Sequence, residues 1–332
     1  MLIYLNINSI KQMKKLLIFG GSGFLGNKLT LKYIDTHIIY IYSRDEAKHW
    51  KMKLDFNNNP NLVFIIGDIR DKEKVRNVLS RSNPDIVIIA SALKHIEKCE
   101  EEIDESIQTN IIGTQNVVNC IEEHHISLTR LKKVCFISTD KACSPVNVYG
   151  MCKAISEAII VQKSMILKNI DFTVVRYGNV LNSTGSIIPS LHAIGKNPRI
   201  ESYNITDMNM TRFLMTHDDS TDLINHAITV GHSGDIIIPK LISCKIIDLI
   251  TIFSELYNKP IHISNIRPGE KILESLINET QSRRLVINNE YYYIKPYEID
   301  ERSRGETIDY NSRINPLSYE QLKQYLIDYD IV

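Results

Sequence analysis

Tyr149 and Lys153 stand four residues apart, and a short way before them runs Ser138-Thr139-Asp140-Lys141. On a helix, positions i and i+4 share a face. A phenol with a pKa near 10 is a poor base at neutral pH. A neighbouring ammonium and a positively charged hydride acceptor both stabilise phenolate. Tyr149 can then take the proton of a hydroxyl while hydride leaves the same carbon, with Thr139 orienting that hydroxyl. Oxidation of an alcohol needs no more than this. Asp140 and Lys141 add an acid and an amine. If the alcohol is C4 of a sugar, the ketone formed acidifies the proton at C5. A base can remove that proton while an acid helps the C6 hydroxyl leave as water, and hydride then returns to C6. The product is a 4-keto-6-deoxy sugar with no net redox change. The plainer alternative makes Asp140 a turn cap and Lys141 a surface residue.

Such side chains need a frame to hold them. The runs KLLIF (15–19), HIIYIY (37–42), LVFII (62–66), DIVIIA (85–90), KVCFIS (133–138) and FTVVR (172–176) are apolar and too short for helices. Segments 71–81 and 103–123 between them carry apolar residues at helical spacing. This alternation predicts an α/β fold, a Rossmann-type doubly wound parallel sheet covered on both faces, with right-handed crossovers. After about residue 180, Gly, Pro, Asn and Ser gather around 182–210, and DLINHAITV, KIIDLITIFSEL and YEQLKQYLI read as helices. The expected organisation is a sheet domain over 13–180 and a smaller C-terminal substrate lobe over 181–332, with some later segments interleaved with the sheet.

The first strand runs into Gly20-Gly21-Ser22-Gly23-Phe24-Leu25-Gly26. A tight turn there needs a residue without Cβ, and a pyrophosphate must approach backbone N–H groups at the start of the next helix. That pattern predicts a dinucleotide site. Dinucleotide sites that prefer NAD place a carboxylate about 20 residues further on. This chain has Ser43-Arg44-Asp45 at the end of the second strand, and an arginine there can fork onto a 2′-phosphate, which favours NADP. The alternative is a solvated Arg44 and an Asp45 that caps a helix. After the third strand, Asp68 in GDIRD can accept from the adenine amine or serve as a turn residue. After the fourth, Ala90, Ser91 and Ala92 let backbone approach the cofactor, and Lys94 reaches into the site.

The bulk composition excludes several functions. Basic and acidic residues balance at 39 each, so no basic excess is present to track a nucleic-acid backbone. No apolar run approaches the roughly 20 residues of a membrane span. MLIYLNINSIKQMKK lacks a signal-peptide layout, and residues 1–12 read as a short extension ahead of Met13. Six scattered cysteines without a Cys-x-x-Cys pair read as reduced thiols of a cytoplasmic protein. The ten histidines show no ligand spacing, so no metal site is expected.

Taken together, the motifs identify the chain as resembling the inverting UDP-N-acetylglucosamine 4,6-dehydratases (4,6-dehydratase/5-epimerases) of the extended short-chain dehydrogenase/reductases. The resemblance runs from residue 15 over nearly the whole chain. It rests on GGSGFLG, YSRDE (42–46), GDIRD (67–71), ALKHIE (92–97), TNIIGTQNV (109–117), STDKA, YGMCK, VRYGNV (175–180), MTRF (210–213) and IRPGEK (266–271). Thr-Asp-Lys stands where the retaining sugar dehydratases carry Thr-Asp-Glu. The resemblance implies Lys141 as the C5 base and Asp140 as the C6 acid, with reprotonation from the opposite face and an L-arabino 4-keto product. Adjacent groups of this kind titrate as a pair. It also implies a tightly bound, recycled NADP, with Ile69 and Asn110 beside it. UDP-N-acetylglucosamine is the implied substrate. Asn179 and Lys94 would meet its sugar or first phosphate, Arg212 and Arg267 its diphosphate, and Glu270 its uridine ribose. One departure is Ser183-Thr184-Gly185-Ser186, where relatives read Ser-Arg-Gly-Ser. Relatives form dimers or hexamers, so a homo-oligomer is expected. Another group of relatives carries transmembrane helices ahead of this domain; this chain shows none and is expected to be free of the membrane. The rival readings are an NDP-sugar 4-epimerase or ketoreductase of the same fold, which does not need Asp140 and Lys141, and a non-catalytic NADP-binding regulator, which does not need Tyr149 and Lys153.

Overall fold

The computed structural model describes residues 13–297 and 307–332, so the short extension 1–12 lies outside the described residues. The six apolar runs form strands: β1 Lys14–Phe19, β2 His37–Ser43, β3 Leu62–Ile66, β4 Ile86–Ile89, β5 Lys133–Ile137 and β6 Asp171–Val175. They lie parallel in the order β3-β2-β1-β4-β5-β6. Chain order reverses between β1 and β4. The loops leaving those two strands diverge there and open a crevice at the carboxyl ends of the strands.

Both faces of the sheet are covered, which explains why these strands are apolar without alternation. On one face Leu17, Phe19, Val87, Ile89 and Val134 pack with Val75, Val117 and Val118, which come from helices Lys72–Ser82 and Gly113–His124. On the other, Leu16, Ile18, Ile88 and Cys135 pack with Leu29 of helix Phe24–Tyr33 and with Leu223, Ile224 and Ala227 of helix His217–Thr229. Strand Ile236–Pro239 pairs parallel to β6, Tyr291–Ile294 pairs antiparallel to it, and Leu285–Ile287 completes nine strands. Segments well past residue 180 are therefore part of the sheet body.

The remaining second-half residues build their own core. Ile188, Leu191, Leu249, Phe253, Leu322 and Leu326 pack together from helices Ile187–Lys196, Ile246–Tyr257 and Tyr319–Asp328, with Leu181 and with Tyr203 of strand Tyr203–Ile205. This lobe faces the carboxyl ends of β1 and β4–β6 across the cleft.

Segment 103–123 differs from the single helix its periodicity predicts. It is broken into Ile103–Ser106, a π-helical stretch Ile107–Ile112, and Gly113–His124. A π-turn widens the helix by one residue. Within it, the Asn110 carbonyl accepts from both the Thr114 and the Ser156 hydroxyls at 2.8 Å.

Candidate active site

One cleft of about 1310 Å³ runs from the β1–β2 loops to the smaller lobe. Its nucleotide half is shaped by two glycines. Gly20 has φ of +82°, and a Cβ there would lie 2.7 Å from the Ser91 amide nitrogen. A Cβ on Gly26 would lie 1.9 Å from the Gly21 carbonyl oxygen. The first lets the turn approach the loop after β4, and the second lets the helix pack on that turn. Helix Phe24–Tyr33 starts at Gly23 with no side-chain cap and no acid in its first turn. Ser22, Gly23, Phe24 and Leu25 line the cleft at that start. An uncapped helix N-terminus on a tight glycine turn fits the pyrophosphate of a dinucleotide.

Ser22 and Ser43 hydroxyls lie 2.7 Å apart, and Ser43 Oγ lies 2.6 Å from His49 Nε2. This chain ties the loops after β1 and β2 together. His49 does not itself line the cleft; the helix after Asp45 brings it back over Ser43 from behind. Arg44 lines the cleft, half-exposed, with Nη1 3.5 Å from Asp68 Oδ2. Asp45 also lines it, but its carboxylate caps helix Glu46–Asp55, accepting from the Lys48 amide at 3.0 Å. The capping alternative thus describes what the Asp45 carboxylate does. Asp68 accepts from Arg70 Nε at 3.0 Å and Nη2 at 2.7 Å. Burial works against its charge, but Arg70 and Arg44 outweigh it and hold the carboxyl below the usual range. Ile69, Ala90, Ser91 and Ala92 complete this wall.

Asn110 needs correction as a cofactor contact. It is buried and does not line the cleft. Its Oδ1 accepts from the Leu93 amide at 2.8 Å and its Nδ2 donates to the Leu93 carbonyl at 2.9 Å. Both ends of the amide thus hold the loop that carries Ala90–Lys94.

The reacting residues follow β5. Thr139 opens a tight turn, Asp140–Ala142, and its hydroxyl donates to Asp140 Oδ1 at 2.8 Å. Helix Val148–Ile166 comes next, with Asn147 Oδ1 accepting from the Gly150 amide at 2.8 Å and Asn147 Nδ2 donating to Gly269 at 2.9 Å. One cap thereby ties helix Val148–Ile166 to the loop that carries Arg267 and Glu270. A Cβ on Gly150 would lie 2.2 Å from the Lys141 carbonyl oxygen. The glycine between Tyr149 and Lys153 is what lets this helix sit against the turn bearing Asp140 and Lys141.

Thr139, Lys141, Tyr149 and Lys153 all line the cleft. Lys153 Nζ donates to the Ile137 carbonyl at 2.7 Å and lies 4.4 Å from the centre of the Phe136 ring. Burial pulls its pKa down to about 8, with Glu157 opposing. Burial pushes the Tyr149 phenol up, Tyr177 and Asp140 add to this, and the Thr139 hydroxyl offsets part of it.

Lys141 is not a surface residue. Its side chain is 14% exposed, with Nζ 3.0 Å from Asp140 Oδ1 and 3.4 Å from Glu274 Oε1. Burial favours the neutral amine, but Asp140 and Glu274 outweigh it and raise the Lys141 pKa. Asp140 sits behind Thr139 and Lys141, fully buried, with Oδ2 lacking a hydrogen-bond partner.

On the substrate side, Asn179 lines the cleft from strand Asn179–Val180, which pairs with Thr211–Met215. Arg212 also lines it, although its guanidinium donates to the Thr211 and Lys271 carbonyls, each at 2.7 Å. Arg267 Nη2 donates to Glu270 Oε1 at 2.9 Å and Nη1 to Glu97 Oε1 at 2.8 Å. Burial opposes the Glu270 charge, but Arg267 and the Thr206 hydroxyl hold its carboxyl below the usual range. Lys94 donates to the Thr184 carbonyl at 2.7 Å, and burial lowers its pKa. Gly185 has φ of +74°, and a Cβ on it would meet the His95 ring at 2.4 Å. Sequence reasoning missed Glu274, Lys271, Thr206 and Tyr177. For Glu274 a signal existed: an acid inside the apolar run ILESLI. Among the described residues no group of His, Cys, Asp and Glu is arranged to hold a metal ion.

The family model described as polysaccharide biosynthesis protein matches residues 16–296. A protein named UDP-N-acetylglucosamine 4,6-dehydratase (inverting) from Campylobacter jejuni is 38% identical over 291 residues, covering 85% of this chain and 83% of its own. A protein named UDP-glucose 4-epimerase from Rickettsia bellii is 33% identical over 340 residues, covering 96% of this chain and 97% of its own. The X-ray structure of Pen from Bacillus thuringiensis superposes with a TM-score of 0.87 at 29% identity, covering 96% of this chain and 98% of its own. With its glycine turn, its Tyr149–Lys153 helix and these matches over most of its length, the chain belongs to the polysaccharide biosynthesis protein family, within the extended short-chain dehydrogenase/reductases.

Proposed function

We propose that the protein is a UDP-N-acetylglucosamine 4,6-dehydratase that inverts C5 and uses NADP. The observation that carries this reading is Lys141 beside Tyr149 and Lys153 on one cleft, with the buried Asp140 paired to it from behind the cleft wall. The 38% identity to the Campylobacter relative supports it. A nicotinamide dinucleotide, when bound, supplies the hydride acceptor for C4 and the donor for C6. Gly20, Gly23 and Gly26 shape the turn that would hold its pyrophosphate, and Arg44, which lines the same cleft, would take a 2′-phosphate, while the Asp45 carboxylate is engaged in its helix cap.

The chain's own residues do the proton work. Tyr149 takes the C4 hydroxyl proton, with Thr139 orienting the hydroxyl. Burial opposes the Tyr149 phenolate, so a positive neighbour is needed, and Lys153 on the same helix face supplies one. Lys141 removes the C5 proton and Asp140 protonates the departing C6 hydroxyl. Arg267 and Arg212 flank the place of the diphosphate, with Glu270, Asn179 and Lys94 around the sugar and ribose. The product is UDP-2-acetamido-2,6-dideoxy-β-L-arabino-hex-4-ulose. The 13–180 body would hold the cofactor and most of 181–332 the substrate. We place the protein in the cytoplasm as a homo-oligomer.

Proton NMR of the purified enzyme with UDP-N-acetylglucosamine in D2O, without added reductant, tests this. The expected result is a 4-keto-6-deoxy product with deuterium and inverted couplings at C5, and NADP released on denaturation. Deuterium with retained C5 keeps the dehydratase and removes the inversion. Change at C4 alone would favour the second reading, a 4-epimerase, which the 33% identity to the Rickettsia protein supports.

A further inference from the structure

Glu274 lies far from Thr139-Asp140-Lys141 in sequence, yet it completes their charge cluster. Its side chain is 3% exposed and lines the cleft, whereas Asp140 does not. Oε1 lies 3.4 Å from Lys141 Nζ. Oε2 is buried with no hydrogen-bond partner. The two flanking cations are further away: Lys271 Nζ at 3.7 Å from Oε2 and Arg212 Nε at 4.0 Å from Oε1. Each also has carbonyl partners of its own. Arg212 holds Thr211 and Lys271, and Lys271 holds Cys143 at 2.9 Å.

The backbone places Glu274 firmly. Its N–H donates to Ser312 Oγ at 3.0 Å, and the Ser312 amide donates to its carbonyl at 2.8 Å. Ser312 Oγ also lies 2.7 Å from Thr211 Oγ1, next to Arg212. The C-terminal part of the chain thus fixes an acid against Lys141. A buried carboxylate with one oxygen unpaired is a poor way to hold a fold together. It is a good way to set the charge state of an adjacent amine.

Resting on the dehydratase reading, we propose that Glu274 is a positioning residue of the elimination step, holding Lys141 Nζ between itself and Asp140 and setting the pH at which that amine gains and loses its proton. The charged groups acting on Lys141 are Asp140 from its own turn, Arg212 from strand Thr211–Met215 and Glu274 from the segment after Gly269; Lys271 stands beside Glu274, and Tyr149 lines the same cleft. Asp140 and Glu274 favour the ammonium, and Arg212 opposes it. Removal of the Glu274 charge therefore moves Lys141 titration to lower pH. The direction is the same whether Lys141 acts as base or as acid, because both limbs follow the same pKa.

The test is NMR titration of 15N-lysine protein, with the Lys141 ammonium resonance assigned through Lys141→Arg. Glu274→Gln and Glu274→Ala should each shift the Lys141 midpoint to lower pH by about tenfold in acidity or more, as loss of a carboxylate within roughly 4–6 Å predicts. Glu274→Asp, which keeps the charge, should stay close to wild type. In turnover, the Lys141 limb of the Glu274→Gln pH profile should move acidward by the same interval as the NMR midpoint. An unmoved midpoint in a folded variant overturns the proposal. So does failure of both charge-removing variants to fold, which makes Glu274 a fold-holding residue. If wild-type enzyme leaves UDP-N-acetylglucosamine untouched, the reaction reading falls, and the titration alone still decides Glu274.

Discussion

At Lys153, function and stability pull in opposite directions. The residue is buried, and its ammonium has one carbonyl partner and an aromatic face. Its pKa of about 8 lies below that of a free lysine. The unfolded chain therefore binds more protons than the folded one between about pH 8 and 10.4. Over that window this residue's contribution to stability rises with pH. Below pH 8 its full penalty remains, up to about 3 kcal/mol at ~1.36 kcal/mol per unit. Lys153→Met should accordingly raise the melting temperature of the cofactor-free protein at neutral pH while abolishing turnover. The gain should be greatest below pH 8 and shrink towards pH 10. Thermal melts of both proteins across that range check this, and a constant difference would sink it.

At the scale of elements, the question is how a turn after β5 and a helix starting at Val148 bring four reactive side chains together. Gly150 answers it. Alanine in a helix interior is ordinarily worth about 1 kcal/mol over glycine. Here its Cβ would lie 2.2 Å from the Lys141 carbonyl oxygen, and that atom is backbone. Gly150→Ala should move the helix away from the turn and cut turnover at least about tenfold, because small displacements of positioned groups are costly. The circular dichroism of the helices should be unchanged. Full activity in this variant would show that the approach of helix and turn is not needed. The Tyr-Gly-Met-Cys-Lys spacing was legible in sequence, but not what this glycine does. The same limit holds elsewhere. GGSGFLG was readable because turn, amides and helix start fall within seven consecutive residues. The direction in which Asn110 turns its amide was not, because it depends on a π-turn and on a loop from another strand. Glu274 stands out as an acid in ILESLI, but its contact was hidden for a related reason: nothing near it in sequence shows that Ser312 holds its backbone or that it lies 3.4 Å from Lys141.

On the scale of the molecule, helix Val148–Ile166 presents two faces. One face carries Tyr149 and Lys153 into the cleft. On the other, Met151 and Ile155 are each 48% exposed, and Ile103 and Ile107 of the neighbouring helical segments are exposed as well. Large apolar side chains exposed together on the outer face of a helix mark a contact surface. The occupant we favour is a second copy related by a two-fold axis, since one such face then serves both subunits. The chain's 39 basic and 39 acidic residues leave no net charge to keep copies apart. Met151→Glu combined with Ile155→Glu should place four carboxylates at a two-fold contact. Multi-angle light scattering should then show the wild type at twice the chain mass or a multiple of it, and the variant at the mass of one chain. A wild type that is monomeric at micromolar concentration would refute the contact. A variant that keeps its oligomeric state would move the contact to another face. Because Tyr149 and Lys153 ride on the same helix, the variant should also lose activity as it dissociates, and activity should then fall on dilution of the wild type.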